Sequence, residues 1–170
     1  MTKEKLEKHL FTGQTHVFAI LDGASISGLL TRLYEMRPPH YCLFRGDLEP
    51  DVAETAPYLV GLIAGDPFTE WLLAESFGKH LGIFAQSRQS MTEMRRHFRA
   101  LVTVHDESGK PMIFRFYDPR VFHKFLPTCN AGELKTLFGT VDSFFAENAD
   151  GKGMSGFKLE NNALRQAQLS

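Results

Sequence analysis

HVFAIL, residues 16–21, is an unbroken apolar run closed by Asp22-Gly23. A run this short, bounded by a turn signal, reads as a β-strand buried on both faces. Working outward on its N-terminal side, residues 3–12 read as a short helix. Leu6, Leu10 and Phe11 share one face, Glu4 and Lys8 pair at i,i+4, and Gly13 stops it. Its polar composition predicts weak packing at an edge. On the C-terminal side, Ile26, Leu29, Leu30, Leu33 and Tyr34 repeat at helical spacing over 26–36, with Ser25 as the expected cap. Pro38-Pro39 breaks that helix, and YCLF at 41–44 reads as a second short strand.

The pattern continues. Residues 45–56 are acidic and read as irregular. YLVGLI at 58–63 is a strand, and Asp66-Pro67 opens a helix with Asp as N-cap and Pro at the first position. LGIFAQ at 81–86 is another strand. Ser90 and Glu93 form a capping box for a helix with Met91, Met94, Phe98 and Leu101 on one stripe and Arg95, Arg96 and Arg99 on the other. Residues 101–105 and 112–117 read as a hairpin around DESGK. Asp118-Pro119 starts a short helix, Asn130 and Glu133 cap another that ends at Gly139, and VDSFF at 141–145 reads as a last strand. Strands alternating with helices predict an α/β or α+β fold, a mixed β-sheet with helices packed on it. One domain is expected over 1–147, followed by a flexible linker and C-terminal tail over 148–170, where NADGKGMSG has linker composition.

The chain has 170 residues, enough for one self-sufficient core. Lys plus Arg is 19 against 20 for Asp plus Glu, so no overall charge draws it to nucleic acid or to anionic lipid. Cys42 and Cys129 have no third partner, which disfavours a disulfide framework and a cysteine-based zinc site. No apolar segment reads as a signal peptide or a membrane span, so a cytosolic location is expected. Phenylalanine is the outlier with 15 copies: most are expected in the core, and some as an exposed docking patch.

No catalytic motif assembles. Gly151, Gly153 and Gly156 match G-x-G-x-x-G but lack the strand-to-helix context and the downstream acid of a dinucleotide site. None of the seven histidines stands at i,i+4 with another, so neither metal nor cofactor is expected. Ser25 and Ser27 do not make a nucleophile elbow. A small hydrolase using His105, Asp106 or His123 is the weakest reading, because no nucleophile–base pair is legible. Arg95, Arg96 and Arg99, with Arg88 nearby, form the one basic cluster, either a solvated helix face or a surface for phosphate or an acidic protein. FRFYDPRVF at 114–122 is the most specific local feature. Read as a strand, it puts Ile113, Arg115 and Tyr117 on one face and Met112, Phe114 and Phe116 on the other, with Asp118 capping the next helix. Arg115 and Arg120 either fix this loop through hydrogen bonds or anchor a protein interface.

Taken in order, HVFAILDGA (16–24), YCLFRG (41–46), APYLVGL (56–62), LGIFAQS (81–87), MRRHFRALVTV (94–104) and FRFYDPRVFHKFL (114–126) resemble the domain of unknown function 4123 family, the bacterial type VI secretion effector adaptors or chaperones. The similarity spans about residues 16–145. It carries the family's motif onto Leu21, Asp22 and Ala24, onto Ala56, Pro57, Tyr58 and Leu59, and onto Arg115, Phe116, Tyr117, Asp118, Pro119 and Arg120. The resemblance implies a non-enzymatic cytoplasmic adaptor that binds a toxic effector and helps load it onto the VgrG spike. Its partners would be that effector and VgrG, with no nucleic acid, membrane or cofactor. Arg115, Tyr117, Asp118, Arg120, Arg95 and Arg99 are the candidate partner-binding residues, with Arg115, Tyr117, Asp118 and Arg120 expected to be split between building the fold and touching a partner. An immunity-type or other protein-binding module is the alternative.

Overall fold

A computed structural model describes residues 1–169 of the chain. The apolar run becomes β1 (His16–Asp22), an inner strand of a seven-stranded sheet. In chain order the elements before and after it are α1 (Lys3–Leu10), α2 (Leu29–Met36), β2 (His40–Cys42), α3 (Pro50–Thr55), β3 (Pro57–Leu62), α4 (Pro67–Glu75), β4 (Gly82–Ser87) and α5 (Met91–Val102). The second half contributes β5 (Thr103–His105), β6 (Pro111–Ile113), α6 (Pro119–Phe125), α7 (Ala131–Phe138), β7 (Val141–Glu147), β8 (Met154–Glu160) and β9 (Ala163–Gln168). The strand order is β2-β3-β1-β4-β7-β8-β9, and β5 and β6 form a separate two-stranded ribbon.

This is the expected mixture of helices and sheet, with one difference inside it. Every pairing in the large sheet is antiparallel, so the sheet is not mixed in strand direction. The both-face burial of HVFAIL follows from helices on each side, not from parallel pairing. On one side Phe18 and Ile20 of β1 meet Ile83, Ala85, Phe144 and Phe157, under Met94 and Phe98 of α5, Phe122 of α6, and Leu134 and Phe138 of α7. On the other side Val17, Ala19 and Leu21 lie beneath α1, α2 and α4. The first layer is held by aromatic contacts, with Phe122 5.3 Å from Phe144 and 5.4 Å from Phe157 between ring centroids. Rings at these edge-to-face separations add about 0.5–1.5 kcal/mol per pair beyond simple burial. Phenylalanine is therefore core material here, and the exposed large hydrophobics are Tyr34, Val52, Ile63, Val104, Met112 and Ile113.

Several elements depart from the reading of the sequence. Helix α1 is not loosely placed, because Leu6 and Leu10 are fully buried and Gln86 Nε2 donates to the Leu10 carbonyl at 2.6 Å, closing its C-terminus. Ser25 does not cap α2. It lies in a short 3-10 turn, Gly23–Ser25, while α2 begins after Gly28. The acidic segment contains the short helix α3, started by Pro50 at its first turn.

The expected strand at 112–117 stops at Ile113. Phe114 N donates to the Val102 carbonyl at 2.8 Å, then the chain turns inward, and Asp118 N donates to the Arg115 carbonyl at 3.1 Å. Phe116 and Tyr117 are consecutive and both buried, and both join the aromatic layer on the same side of the large sheet.

The segment expected as a flexible linker and tail, 148–170, instead holds β8 and β9, a hairpin that extends the sheet from β7. Gly151 and Gly153 take positive φ in the turn before β8, the conformation that linker composition also supplies. Ser170 lies outside the described residues.

Candidate functional site

The carried-over motifs converge on one point. Asp22 stands at the end of β1, where the sheet's alternation turns its side chain toward the aromatic layer, and it is 1% exposed. A carboxylate buried to that degree requires partners. Asp22 accepts from Ala24 N at 3.2 Å and from Ser25 Oγ at 2.8 Å, and it pairs with the Arg115 guanidinium. Asp22 claims both donors and so closes the DGAS turn, while the N-cap of α2 is Gly28, three residues beyond Ser25. Gly23 is required by close approach: a Cβ there would lie 2.4 Å from the Ala56 carbonyl oxygen.

Arg115 itself is 44% exposed, with its second carboxylate, Asp118 Oδ2, at 4.0 Å. Asp118 caps α6 by accepting from Arg120 N at 2.9 Å. It also receives Arg120 Nε at 3.0 Å and a second guanidinium nitrogen at 2.7 Å, a forked pair. Burial pushes the Asp118 carboxyl up, but the Arg120 hydrogen bonds and the two positive charges outweigh it, so its pKa lies below the usual value. The Tyr117 hydroxyl is pushed up to about 12 by burial, aided by the Asp22 charge, and stays neutral. The expected quartet Arg115, Tyr117, Asp118 and Arg120 thus comes together as a junction between β1 and α6. Tyr117 and Asp118 are buried, while Arg115 and Arg120 keep one face in solvent.

Arg95 and Arg99 belong to a second group on the outer face of α5. Arg99 donates to the Cys42 carbonyl at 2.8 and 3.3 Å, and Arg95 lies 4.4 Å over the Tyr41 ring. With Arg45, Thr92 and Arg96 they line a cleft of about 270 Å³. Nothing local singles out Tyr41 and Arg45, because the α5 arginines beside which they lie come some fifty residues later.

A third surface is the β5–β6 ribbon. Its tip is built by Asp106, which accepts from Ser108 N and Lys110 N, each at 2.9 Å. Val104 and Met112 face each other across it. Val104 borders an apolar groove of about 520 Å³ lined by Leu101, Phe114, Phe125 and Leu137.

The residues weighed for catalysis have separate duties. Asp106 makes the ribbon turn, His105 is exposed on β5, and His123 packs at 5.3 Å against Phe157. No hydrogen bond joins them. The Cys129 thiol donates to the Phe125 carbonyl at 3.5 Å, and burial raises its pKa, which disfavours the thiolate. A cluster that the sequence did not reveal surrounds Glu147 at the end of β7. Its buried carboxylate accepts from Gly78 N and from His80 N, the latter at 2.8 Å, and His80 Nδ1 lies 3.0 Å away. These contacts pin the loop before β4 to β7. Among the described residues no group of three or more His, Cys, Asp or Glu side chains is arranged to hold a metal ion, and no helix is long and apolar enough to cross a membrane.

Comparison with known proteins agrees with the motif order. No curated protein and no solved structure matches the chain. The model of one family, described as Domain of unknown function (DUF4123), matches residues 17–136, from the start of β1 into α7. That span takes in the Asp22–Arg115 junction, the arginine cleft and the ribbon together, and the chain is a member of the DUF4123 family.

Proposed function

We propose that this protein is a non-enzymatic adaptor of the bacterial cytoplasm that binds a type VI secretion effector and helps load it onto the VgrG spike. The motif order supports the family's adaptor role, and the β5–β6 ribbon is the observation that carries a protein-binding reading. A two-stranded ribbon is marginal in water unless something covers it. Here both strands are exposed throughout. Met112 presents an apolar side chain to solvent at 47% exposure, and Val104, opposite it across the ribbon, continues that face into the groove beside α5, while Ile113, 53% exposed, adds an apolar side chain on the ribbon's other face. Contiguous apolar surface of this kind marks a partner site. An effector segment seated across ribbon and groove would bury Phe114 and Phe125 as well.

The test is co-expression with the effector encoded beside this protein, followed by size-exclusion chromatography. Co-elution is expected, with the effector less soluble when produced alone. The double substitution Met112→Glu, Ile113→Lys is expected to abolish co-elution without moving the melting temperature. An effector that is equally soluble alone and never co-elutes would overturn the proposal. Effector activity within the complex separates this reading from an immunity protein: full activity fits an adaptor, and inhibition fits an immunity module.

A further inference from the structure

We infer that the cleft on the outer face of α5 is a receptor for a short acidic protein segment, whose carboxylates are held by Arg45, Arg95, Arg96 and Arg99. This deepens the adaptor reading and rests on it, with the acidic segment belonging to the bound effector. The four guanidinium groups and Thr92 line one cleft of about 270 Å³, with no carboxylate among the lining residues. Among the described residues, none of the four arginines takes part in an ion pair, although the chain carries as many acidic as basic groups to within one charge. The neighbouring Glu93 feels the Arg96 charge but forms no ion pair with it: its carboxylate accepts from Ser90 N at 2.9 Å and Ser90 Oγ at 2.6 Å in the capping box of α5.

Two of the arginines are already positioned. Arg99 is fixed by the Cys42 carbonyl and Arg95 by the face of Tyr41. Such preorganisation removes part of the entropy that binding would otherwise cost. Arginine also suits the task better than lysine, because its planar fork matches a carboxylate with two parallel hydrogen bonds. Like charges crowded without an ion-pair partner repel one another, and an incoming acidic group relieves that repulsion.

The extent of the positive surface selects the occupant. In the chain Arg45 is followed within nine residues by Asp47, Glu49, Asp51 and Glu54. An extended phosphate strand that followed the chain away from Arg45 would meet these carboxylates, and the net charge of −1 offers it no compensating field. A segment with a few acidic side chains fits within the cleft and stops before that repulsion.

The experiment measures fluorescence anisotropy of a labelled peptide carrying four consecutive glutamates against the full chain. A labelled single-stranded RNA of matched length serves as competitor class. The double variant Arg45→Glu, Arg96→Glu is compared with the wild type. Both side chains are exposed, so the fold is expected to survive. If that variant does not fold, Arg96→Gln alone serves in its place. The expected result is peptide binding that weakens with salt and drops at least about tenfold in the variant, as for charge complementarity at other interfaces. Absence of peptide binding, or RNA binding as tight as peptide binding, overturns the inference. The same variant is then co-expressed with the effector. Undiminished co-elution overturns the cleft as an effector contact while the adaptor reading stands. If the wild type itself fails to co-elute, the adaptor reading falls, and the peptide arm alone judges the cleft.

Discussion

The protein carries two groups of arginines with opposite surroundings. At the junction of β1 and α6, Arg115 and Arg120 face the chain's own carboxylates, Asp22 and Asp118. On α5, Arg95 and Arg99 face a ring and two backbone carbonyls, and Arg45 and Arg96 join them in a cleft lined by no carboxylate. Both groups lie inside the region matched by the family model. A charge whose counter-charge is already present contributes to holding the fold. A charge left with neutral acceptors is available to another molecule. The same residue type in two environments thus separates construction from recognition, a distinction that residue identity alone could not make.

The comparison breaks most visibly at Arg115. Replacing it with alanine leaves a buried carboxylate without its counter-ion, and a loss of about 2–3 kcal/mol is expected in chemical denaturation. If Arg115→Ala left stability unchanged but weakened effector binding, the junction would be a contact surface and the contrast would collapse.

Arg99→Ala is expected to cost about 1 kcal/mol, the worth of its hydrogen bonds to the Cys42 and Phe44 carbonyls. A cost equal to that of Arg115→Ala would show that the α5 group is also structural.

Arg120→Ala should cost below about 1 kcal/mol, since that side chain is half exposed. Its effect has a pH signature. The Asp118 pKa is lower in the folded state than its ordinary 3.8, so the unfolded chain binds the proton first. The contribution is fully present above 3.8 and disappears as pH falls through the lower folded value. The difference between wild type and Arg120→Ala, followed from pH 6 downward by thermal melts, should therefore close only below that range. A separate loss begins at higher pH in both proteins. Burial lowers the folded pKa of His97 and His123 below 6.5, so protonation of these imidazoles favours the unfolded chain as pH falls below 6.5. The difference measurement removes that background.

Arg96→Ala is the smallest perturbation, expected within about 0.5 kcal/mol of the wild type. A larger loss, read in the same denaturation series, would mean that Arg96 has an internal partner after all.

The layered fold was legible to a considerable degree. HVFAIL, YLVGLI and LGIFAQ became β1, β3 and β4, and both capping boxes closed as their spacing requires, Ser90 with Glu93 and Asn130 with Glu133. These signals are local: a side chain three positions away satisfies a helix end whatever the rest of the chain does. The FRFY segment misled because its composition suits a strand. Only the pull of Phe116 and Tyr117 into the aromatic layer turns it inward. The 148–170 segment misled in the other direction. Its glycines do make a turn, but β8 and β9 beyond that turn are stabilised by pairing, β8 with β7 and β9 with β8, which composition cannot report.

The site divides in the same way. FRFYDPR could be singled out, and Asp118 could be assigned as a cap, because both depend on neighbours in the chain. The partner of Arg115 could not be read, since Asp22 lies 93 positions away and is delivered by the register of β1 in the sheet. Short-range chemistry therefore specified the strands, the caps and the special segment. The choice of which arginines meet an acid, and which are left facing solvent, was made by long-range packing, because a charge's energy depends on what the folded chain brings within a few ångströms of it.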